Sequence, residues 1–425
     1  MKDLDLDLDT QLDLQLEIGE RELKNGLTLL AVRNPGVPTF AAGVALDVGV
    51  RDEARGEEGL ANLMGDCLDE GTKTRDAVRL AEAVDAIGAS LTAGSAGGSI
   101  HCPATESKKA LRLLAEVVRE PAFPARGVRR VQQEVLNEIR ADKDDPRTVA
   151  SRRFRKEVYG RHPFARSPRG TTHRVSGFEP KDLRRFHRRW FRPAGGYVAA
   201  AGPDEVDRTL DMLASAFRSM DGRPPKHVRP AAPAMPGEVR EVHIPMKREQ
   251  VHVYVGHPGI RRTNPDFYAL SVLDHVLGSG PGFTSRISKS LRDEQGLCYS
   301  VSASITSTAG EEPGCFTAYI GTSPGHRQRV IDGFLSEMER IRGELVSKEE
   351  LLDVQRYLTG SFVFSLERNS NLAGYAVRAK RFGLGFDYLR RYPDLIRSVT
   401  IDDVKAVAQR YLHPDRVVIV SAGAG

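Results

Sequence analysis

The sequence predicts an α+β chain made of two homologous α/β halves, closed like a clamshell around a chamber. Three observations carry that expectation. At 425 residues the chain exceeds what one hydrophobic core usually supports, so two domains of roughly 200 residues each are expected. Near the middle, DGRPPKHVRPAAPAMPG over residues 221–237 holds five prolines without hydrophobic periodicity, which reads as a linker. The order of strand and helix patterns before this linker also returns after it. The ends overlay best, RVSGFEPKDLRRFHRRWFRPAGGYVAAAG on RSVTIDDVKAVAQRYLHPDRVVIVSAG, as an internal duplication would produce. The expected divisions are an acidic tail over 1–18, a domain over 19–220, the linker over 221–237 and a second domain over 238–425.

In chain order, Asp3 to Leu14 alternates Leu with mostly Asp, a strand period whose crowded carboxylates repel, so a frayed tail is expected. In RELKNGLTLLAV, Asn25-Gly26 marks a turn between two strands. FAAGVALDVGVRDE reads as a buried strand, GEEGLANLMGDCLDEGT as a helix ended by Gly71, and TRDAVRLAEAVDAIGASLTAG as a helix closed by Gly88. The strand SLTAGSAGGSIHCPA follows, then a helix in SKKALRLLAEVVREPAF that Pro121 stops. VRRVQQEVLNEIRADKDDPRTVASRRFRKEVYG gives a long helical region bent or broken at Asp145-Pro146. EPKDLRRFHRRWF is a helix and GGYVAAAGP a buried strand. Beyond the linker, strand VHVYVGHPG, helix DFYALSVLDHVLG, strands CYSVSASI and GCFTAYIGT, helices RQRVIDGFLSEMERIRG, SKEELLDVQRYLTGSFVFSL and IDDVKAVAQRYL, and strand RVVIVSAG complete the second half.

Composition is ordinary for a globular chain, 40% hydrophobic and 28% charged. No run approaches the roughly 18 apolar residues that span a bilayer, and the N-terminus is acidic where an export signal is basic and then apolar. A cytoplasmic protein without a membrane partner is expected. Cys67, Cys102, Cys298 and Cys315 are scattered, with no CxxC, which fits free thiols in a reducing compartment. The net charge of +5 is small, yet residues 152–192 carry 14 Lys or Arg against three acids. Such a run draws nucleic acid or acidic peptides; no nucleic-acid motif accompanies it, so a solvated helix face is expected and nucleic acid is not. There is no GxSxG, no Cys and His pairing with context and no phosphate loop, so other hydrolase chemistries lack support.

Chemistry concentrates in SRISKSLRDEQGLCYSV. Arg292 and Tyr299 stand seven residues apart, with the Gln295-Gly296 step ending a helix and starting a strand. That geometry converges a guanidinium and a phenol on one point. Both donate hydrogen bonds to carbonyl oxygens and the phenol can stabilise an oxyanion, which suits gripping a peptide bond. The residues alone leave open an ordinary surface arginine and a half-buried strand tyrosine.

Together with VGVRDEARGEEGLANLMGDCLDEGT, EVLNEIRADKDDP and the two terminal AG-ended strands, this stretch resembles the insulinase and pitrilysin family of metallopeptidases. That family includes the mitochondrial processing peptidases and the respiratory core proteins derived from them, and the resemblance runs from about residue 18 to the C-terminus. It implies a processing-peptidase or LuxS-like metallohydrolase fold. Active members carry HxxEH on a helix, two His binding zinc and the Glu activating its water; here Asn62, Leu63, Met64, Gly65 and Asp66 stand at those positions. The distal Glu ligand falls on Glu138, read as a helix residue kept for packing or solubility, since Asp66 and Glu138 offer a cation too few oxygens. His275 duplicates the position of Asp66 but follows Leu273 and Asp274 with no companion His, so a structural role is expected.

The resemblance thus implies no metal and no catalytic residue in this chain alone. In the family's heterodimers one subunit brings the zinc box, while the other lacks zinc and contributes an Arg and a Tyr, which Arg292 and Tyr299 match. The implied function is the non-catalytic, peptide-binding subunit of a heterodimeric zinc endopeptidase, a pseudoenzyme by itself, with zinc in a homologous HxxEH partner. The alternative is a structural or scaffold core-type protein with no proteolytic role. SLTAGSAGGSIH occupies the place of the family's edge strand, which can hold a peptide by strand addition, although Thr92 replaces the usual Asn and glycines weaken a strand.

Overall fold

The computed structural model describes residues 16–280 and 284–424. Most of the expected acidic tail, residues 1–15, lies outside the described residues. Strands β1 (Glu17–Glu22) and β2 (Thr28–Arg33) pair antiparallel across the Asn25-Gly26 turn. Next come β3 (Thr39–Ala45), helices α1 (Leu60–Asp66) and α2 (Ala77–Asp85), and the hairpin β4 (Ser90–Gly94) and β5 (Gly97–Pro103). Helices α3 (Ser107–Arg119), α4 (Ala125–Asp144), α5 (Pro146–Tyr159), α6 (Thr172–Val175) and α7 (Pro180–Trp190) lead to β6 (Tyr197–Gly202) and α8 (Val206–Phe217). Residues 220–236 form neither helix nor strand. His227 in this stretch is tied back to the first half, 2.6 Å from Asp52 and 3.1 Å from Asp47, with its ring stacked on Trp190.

The second half runs β7 (Arg240–Pro245), β8 (Val251–Pro258), α9 (Phe267–Asp274), β9 (Cys298–Ser304), β10 (Cys315–Thr322), α10 (Arg327–Gly343), α11 (Lys348–Phe364), α12 (Asn369–Arg381), α13 (Tyr388–Arg397), α14 (Ile401–Tyr411) and β11 (Val418–Gly423). Its sheet order is β7-β11-β8-β10-β9, and the first sheet contains the same arrangement as β2-β6-β3-β5-β4 with β1 added at the edge. Strand directions also correspond: β2 is parallel to β6 as β7 is to β11, and the remaining neighbours are antiparallel. The chain is an α+β protein of two homologous halves.

Each sheet buries one face under its own helices and the other under a helix of the opposite half. On the first sheet, Leu29, Ala31, Phe40, Ala42 and Val198 face a core with α1, α3, α4, α7 and α8. The alternate residues Leu30, Val32, Ala199 and Ala201 pack on Leu372, Ala373, Tyr375, Ala376 and Ala379 of α12. On the second sheet, Val253, Val255, Phe316, Ala318 and Ile419 face α9, α10, α11 and α14. Their alternates Tyr254, Tyr319, Val418, Val420 and Ala422 pack on Ala150, Phe154, Val158 and Tyr159 of α5. Burial on both faces is why the strands read as unbroken apolar runs instead of alternating. The Asp145-Pro146 break makes the exchange possible: it stops α4 and caps α5, whose first amides from Arg147 and Thr148 donate to the Asp145 carboxylate at 3.3 and 3.0 Å.

Several expectations need correction. The helix expected to run to Gly71 ends at Asp66, because beyond it the chain turns tightly and Gly71, at φ +126°, bridges to Asp76. SLTAGSAGGSIHCPA is a hairpin and not one strand, turning at Ser95-Ala96. Helices α8, α12 and α13 and strand β7 carried no expectation. The basic stretch is not one solvated helix face but divides among α5, the loop after it, α6 and α7. A cavity of about 570 Å³ lies between the halves, walled by β3, β4 and β5 on one side and Ser370, Ala373, Gly374 and Val377 of α12 on the other.

Phe154 belongs to the first half but is buried against the second sheet, so truncating it should loosen both. Phe154→Ala is expected to cost about 3–5 kcal/mol. Denaturation followed by fluorescence of Trp190, in the first half, should stay coincident with far-UV circular dichroism of the whole chain; separated transitions would refute the interlock.

Candidate functional site

The Arg292–Tyr299 site is built at the open edge of the second sheet. Residues Ser288–Glu294 form a widened helical turn held from two sides. Arg286 makes a two-pronged bond to Glu350 of α11, at 2.8 and 3.0 Å, and that bond holds the Glu350 carboxyl down at about 2. Leu291 is fully buried, in space that exists because position 333 is glycine: a Cβ there would stand 2.3 Å from the Leu291 side chain. Gly296, at φ +62°, ends the turn and donates its N–H to the Arg292 carbonyl at 2.9 Å.

Strand β9 then starts as the last strand of its sheet. Its register against β10 slips between the pairs Val301–Ile320 and Cys298–Thr322, so Tyr299 and Ser300 face the single residue Gly321. That is a β-bulge, a device that re-aims a side chain at a sheet edge. Tyr299 stands 86% exposed. The Arg292 guanidinium lies over its ring, 5.7 Å from the centroid, within cation–π range. The expected meeting of guanidinium and hydroxyl at one point is in fact a meeting of guanidinium and ring face.

The Asn62–Asp66 box occupies α1, beside the edge strand of the first sheet. The Asn62 amide donates to the Asp66 carboxylate at 2.6 Å. Gly65 faces the β4–β5 turn, and a Cβ on it would lie 2.3 Å from the Ser95 nitrogen and 2.4 Å from the Gly94 carbonyl carbon. Backbone fills the place of any side chain at 65. Partial burial, then Glu138 and Asp69, push the Asp66 carboxyl up to about 6, against Arg169 and the Asn62 bond. Glu138 on α4 is not merely a solubility residue: Arg169 Nε donates to it at 2.8 Å, and Arg169 Nη1 reaches Asp142 at 3.2 Å.

Two carboxylates, an amide and a guanidinium do not make a zinc site, and among the described residues no three His, Cys, Asp or Glu stand close enough to hold a metal. Arg169 received no separate notice in the sequence; its signal was an arginine beside Gly170 in the RSPRG loop. At the duplicate position, His275 Nδ1 lies 2.8 Å from the Ser271 carbonyl, a bond within its own helix. Its neighbour Asp274 is buried and accepts from the Ser304 hydroxyl and the Ile305 and Thr306 amides, tying α9 to the end of β9.

Comparison with known proteins shows the family. A family model described as insulinase (peptidase family M16) matches residues 28–172, and one described as peptidase M16 inactive domain matches residues 177–358. An uncharacterized zinc protease of Mycobacterium tuberculosis is 29% identical over 399 residues, covering 92% of this chain and 90% of the relative. One of Streptomyces coelicolor is 27% identical over 402 residues, covering 92% and 86%. The crystal structure of a peptidase M16 inactive domain from Pseudomonas fluorescens superposes with a TM-score of 0.90 at 25% identity, covering 96% of this chain and 99% of that one. A protease from Helicobacter pylori gives 0.88 at 20% identity, with coverage of 96% and 99%. No helix among the described residues is long and apolar enough to cross a membrane.

One buried acid sets how α1 responds to pH. Glu53, 4% exposed, accepts from the Gly59 and Ala61 amides at 3.0 and 2.9 Å and so holds the start of α1. Burial pushes its carboxyl up to about 7 against those bonds, from an ordinary value of 4.5. The stability contributed by the neutral form is therefore fully present below pH 4.5 and is lost as pH rises through about 7. Glu53→Gln keeps an acceptor without the charge; thermal melts should show it more stable than the parent at pH 8, with a flatter pH profile between 4.5 and 7.

Proposed function

The chain belongs to the insulinase (M16) peptidase family, and from that premise we propose that it is the non-catalytic, substrate-binding subunit of a heterodimeric zinc endopeptidase. The observation that carries this reading is the contrast between two edges of one chain. The zinc-box positions are occupied by Asn62, a backbone-packed Gly65 and a carboxylate pair served by Arg169. At the other edge a bulge, a positive-φ glycine and a buried anchor hold Tyr299 on open surface with the half-buried Arg292 beneath its ring. An 86% exposed tyrosine does nothing for the core, so its placement points outward. The description "inactive domain" carried by the matching family model and the Pseudomonas fluorescens structure supports the same reading.

In this reading a homologous HxxEH subunit supplies the zinc and with it the hydrolytic water. What this chain adds is grip. The unpaired outer edge of β9 offers backbone donors and acceptors to an extended peptide. The Tyr299 hydroxyl and the Arg292 guanidinium then donate to the peptide carbonyl and to the oxyanion that develops on it. Those donors are fixed before the substrate arrives, because Arg286 and Leu291 lock the turn that carries Arg292.

Loss of one such donor typically costs about a hundred- to a thousandfold in turnover. Tyr299→Phe is therefore expected to lower kcat of the reconstituted two-subunit peptidase on quenched peptides by that order, with the complex eluting at the same size and zinc found in the HxxEH subunit alone. Unchanged turnover would reject the assignment. Absence of peptidase activity in every complex would move the chain to the scaffold reading.

A further inference from the structure

A cavity of about 670 Å³ opens beside the degenerate box, where Asn62 of α1 meets the seam between the halves. Its walls carry six cations: Arg147, Arg152, Arg155 and Lys156 from α5, and Arg166 and Arg169 from the loop that follows. No carboxylate lines it. The charge is only partly answered from behind. Arg152 and Arg169 both reach Asp142, and Arg169 also takes Glu138. Arg155 and Arg166 each spend one donor on a backbone carbonyl, of Phe164 and Glu53, both at 3.1 Å. Arg147 stacks on the Tyr319 ring at 4.5 Å. Among the described residues, Arg147, Arg155, Lys156 and Arg166 form no contact ion pair with a carboxylate, although Asp145 acts on Arg147 and Glu58 on Arg166 from farther off, so the cations of the concavity are only partly answered. Like charges so placed repel and destabilise the fold unless an anion answers them.

The arrangement also favours one kind of anion. A compact phosphate is ordinarily cradled by free amides at a helix start, but the first amides of α5 already donate to Asp145. What remains is a set of guanidinium and ammonium groups on two elements, α5 and the loop after it, which several carboxylates carried on one chain can answer together. The cavity adjoins α1, which abuts the β4–β5 hairpin at the edge of the first sheet. It also reaches the second sheet, through Tyr254 in its wall and Arg147 on Tyr319 of β10, the strand next to β9, so a peptide held at the β9 edge can extend towards it.

We propose that this cavity binds a carboxylate-rich segment of the peptide, so that the chain selects acidic peptides. The inference rests on the peptide-binding reading above but not on a partner or on turnover. It also accounts for part of the basic stretch: Arg152, Arg155, Lys156, Arg166 and Arg169 line the cavity, while Arg188 and Arg189 on α7 stand exposed elsewhere.

The test is fluorescence anisotropy of the purified chain alone with a labelled Glu- and Asp-rich decapeptide and its Gln and Asn counterpart. The acidic peptide should bind about tenfold or more tightly at low salt, with the margin shrinking as salt rises. R155Q/K156Q should weaken it by roughly tenfold and leave the amide peptide unaffected; K156Q alone, which keeps the Arg155 bond to the Phe164 carbonyl, should shift the acidic peptide in the same direction. R188Q/R189Q should bind as the parent does. Equal binding of the two peptides, or an unaffected R155Q/K156Q chain, would overturn the proposal. So would tripolyphosphate or a single-stranded oligonucleotide outcompeting the acidic peptide, since the cavity would then be a phosphate site. Because neither zinc nor Tyr299 enters this measurement, failure here leaves the turnover test of Tyr299→Phe standing, and the reverse also holds.

Discussion

The exchange of α5 and α12 between the halves is the constraint on which the remaining structure depends. A sheet whose strands are apolar on both faces must have both faces covered. Each half has enough helices for one face of its own sheet, and the second face is closed by the one helix it receives. Polar bonds guard the same seam. The Asn369 amide at the head of α12 donates to the Thr39 carbonyl at 2.7 Å, and Arg240 of β7 donates to Glu157 of α5 at 2.9 Å. Neither sheet is complete without the other half. The relation between edge strands β4 and β9 is thereby fixed, and with it the relation between the degenerate box and the Arg292–Tyr299 pair.

The two edges show opposite uses of the duplicated architecture. At α1, backbone packs closely on Gly65 and a guanidinium of the chain's own, Arg169, pairs with Glu138. A carboxylate pair left without a cation would repel and resist ionisation; Arg169 supplies that cation covalently, as part of the chain. On β9 a bulge spends one ladder position to turn Tyr299 outward, and the Arg286–Glu350 bond fixes the turn behind it. Beside the box, six cations of α5 and its loop line one cavity, with Asp142 and Glu138 behind Arg152 and Arg169.

Legibility followed the range of the interaction involved. The Asn25-Gly26 turn, the Asp145-Pro146 break and the helix end at Gly296 are local preferences of a few residues, and each was readable. So was the duplication, because two copies of one pattern stand in one chain. Helix α12 was not. Its buried face is Leu372, Ala373, Ala376 and Ala379, at helical spacing, but it is mostly alanine between arginines and so weakly hydrophobic. Small residues are what a helix pressed flat on a sheet requires, yet that need comes from β6 (Tyr197–Gly202) and β3 (Thr39–Ala45), both far earlier in the chain than α12 (Asn369–Arg381).

By itself, then, the sequence determined the two-half α+β plan, the family, and that Asn62 to Asp66 carry no HxxEH. The plan follows from chain length, the proline-rich linker and the repeated order of elements, and the family from resemblance of short stretches to known motifs, all of which can be read along the chain. Only the tertiary structure decided that the halves interlock, that a bulge aims Tyr299, that Arg169 meets Glu138, and that six of the scattered cations share a cavity. Each of these depends on groups far apart in the chain, brought together by burial of both faces of two sheets; that juxtaposition has no period or motif to announce it.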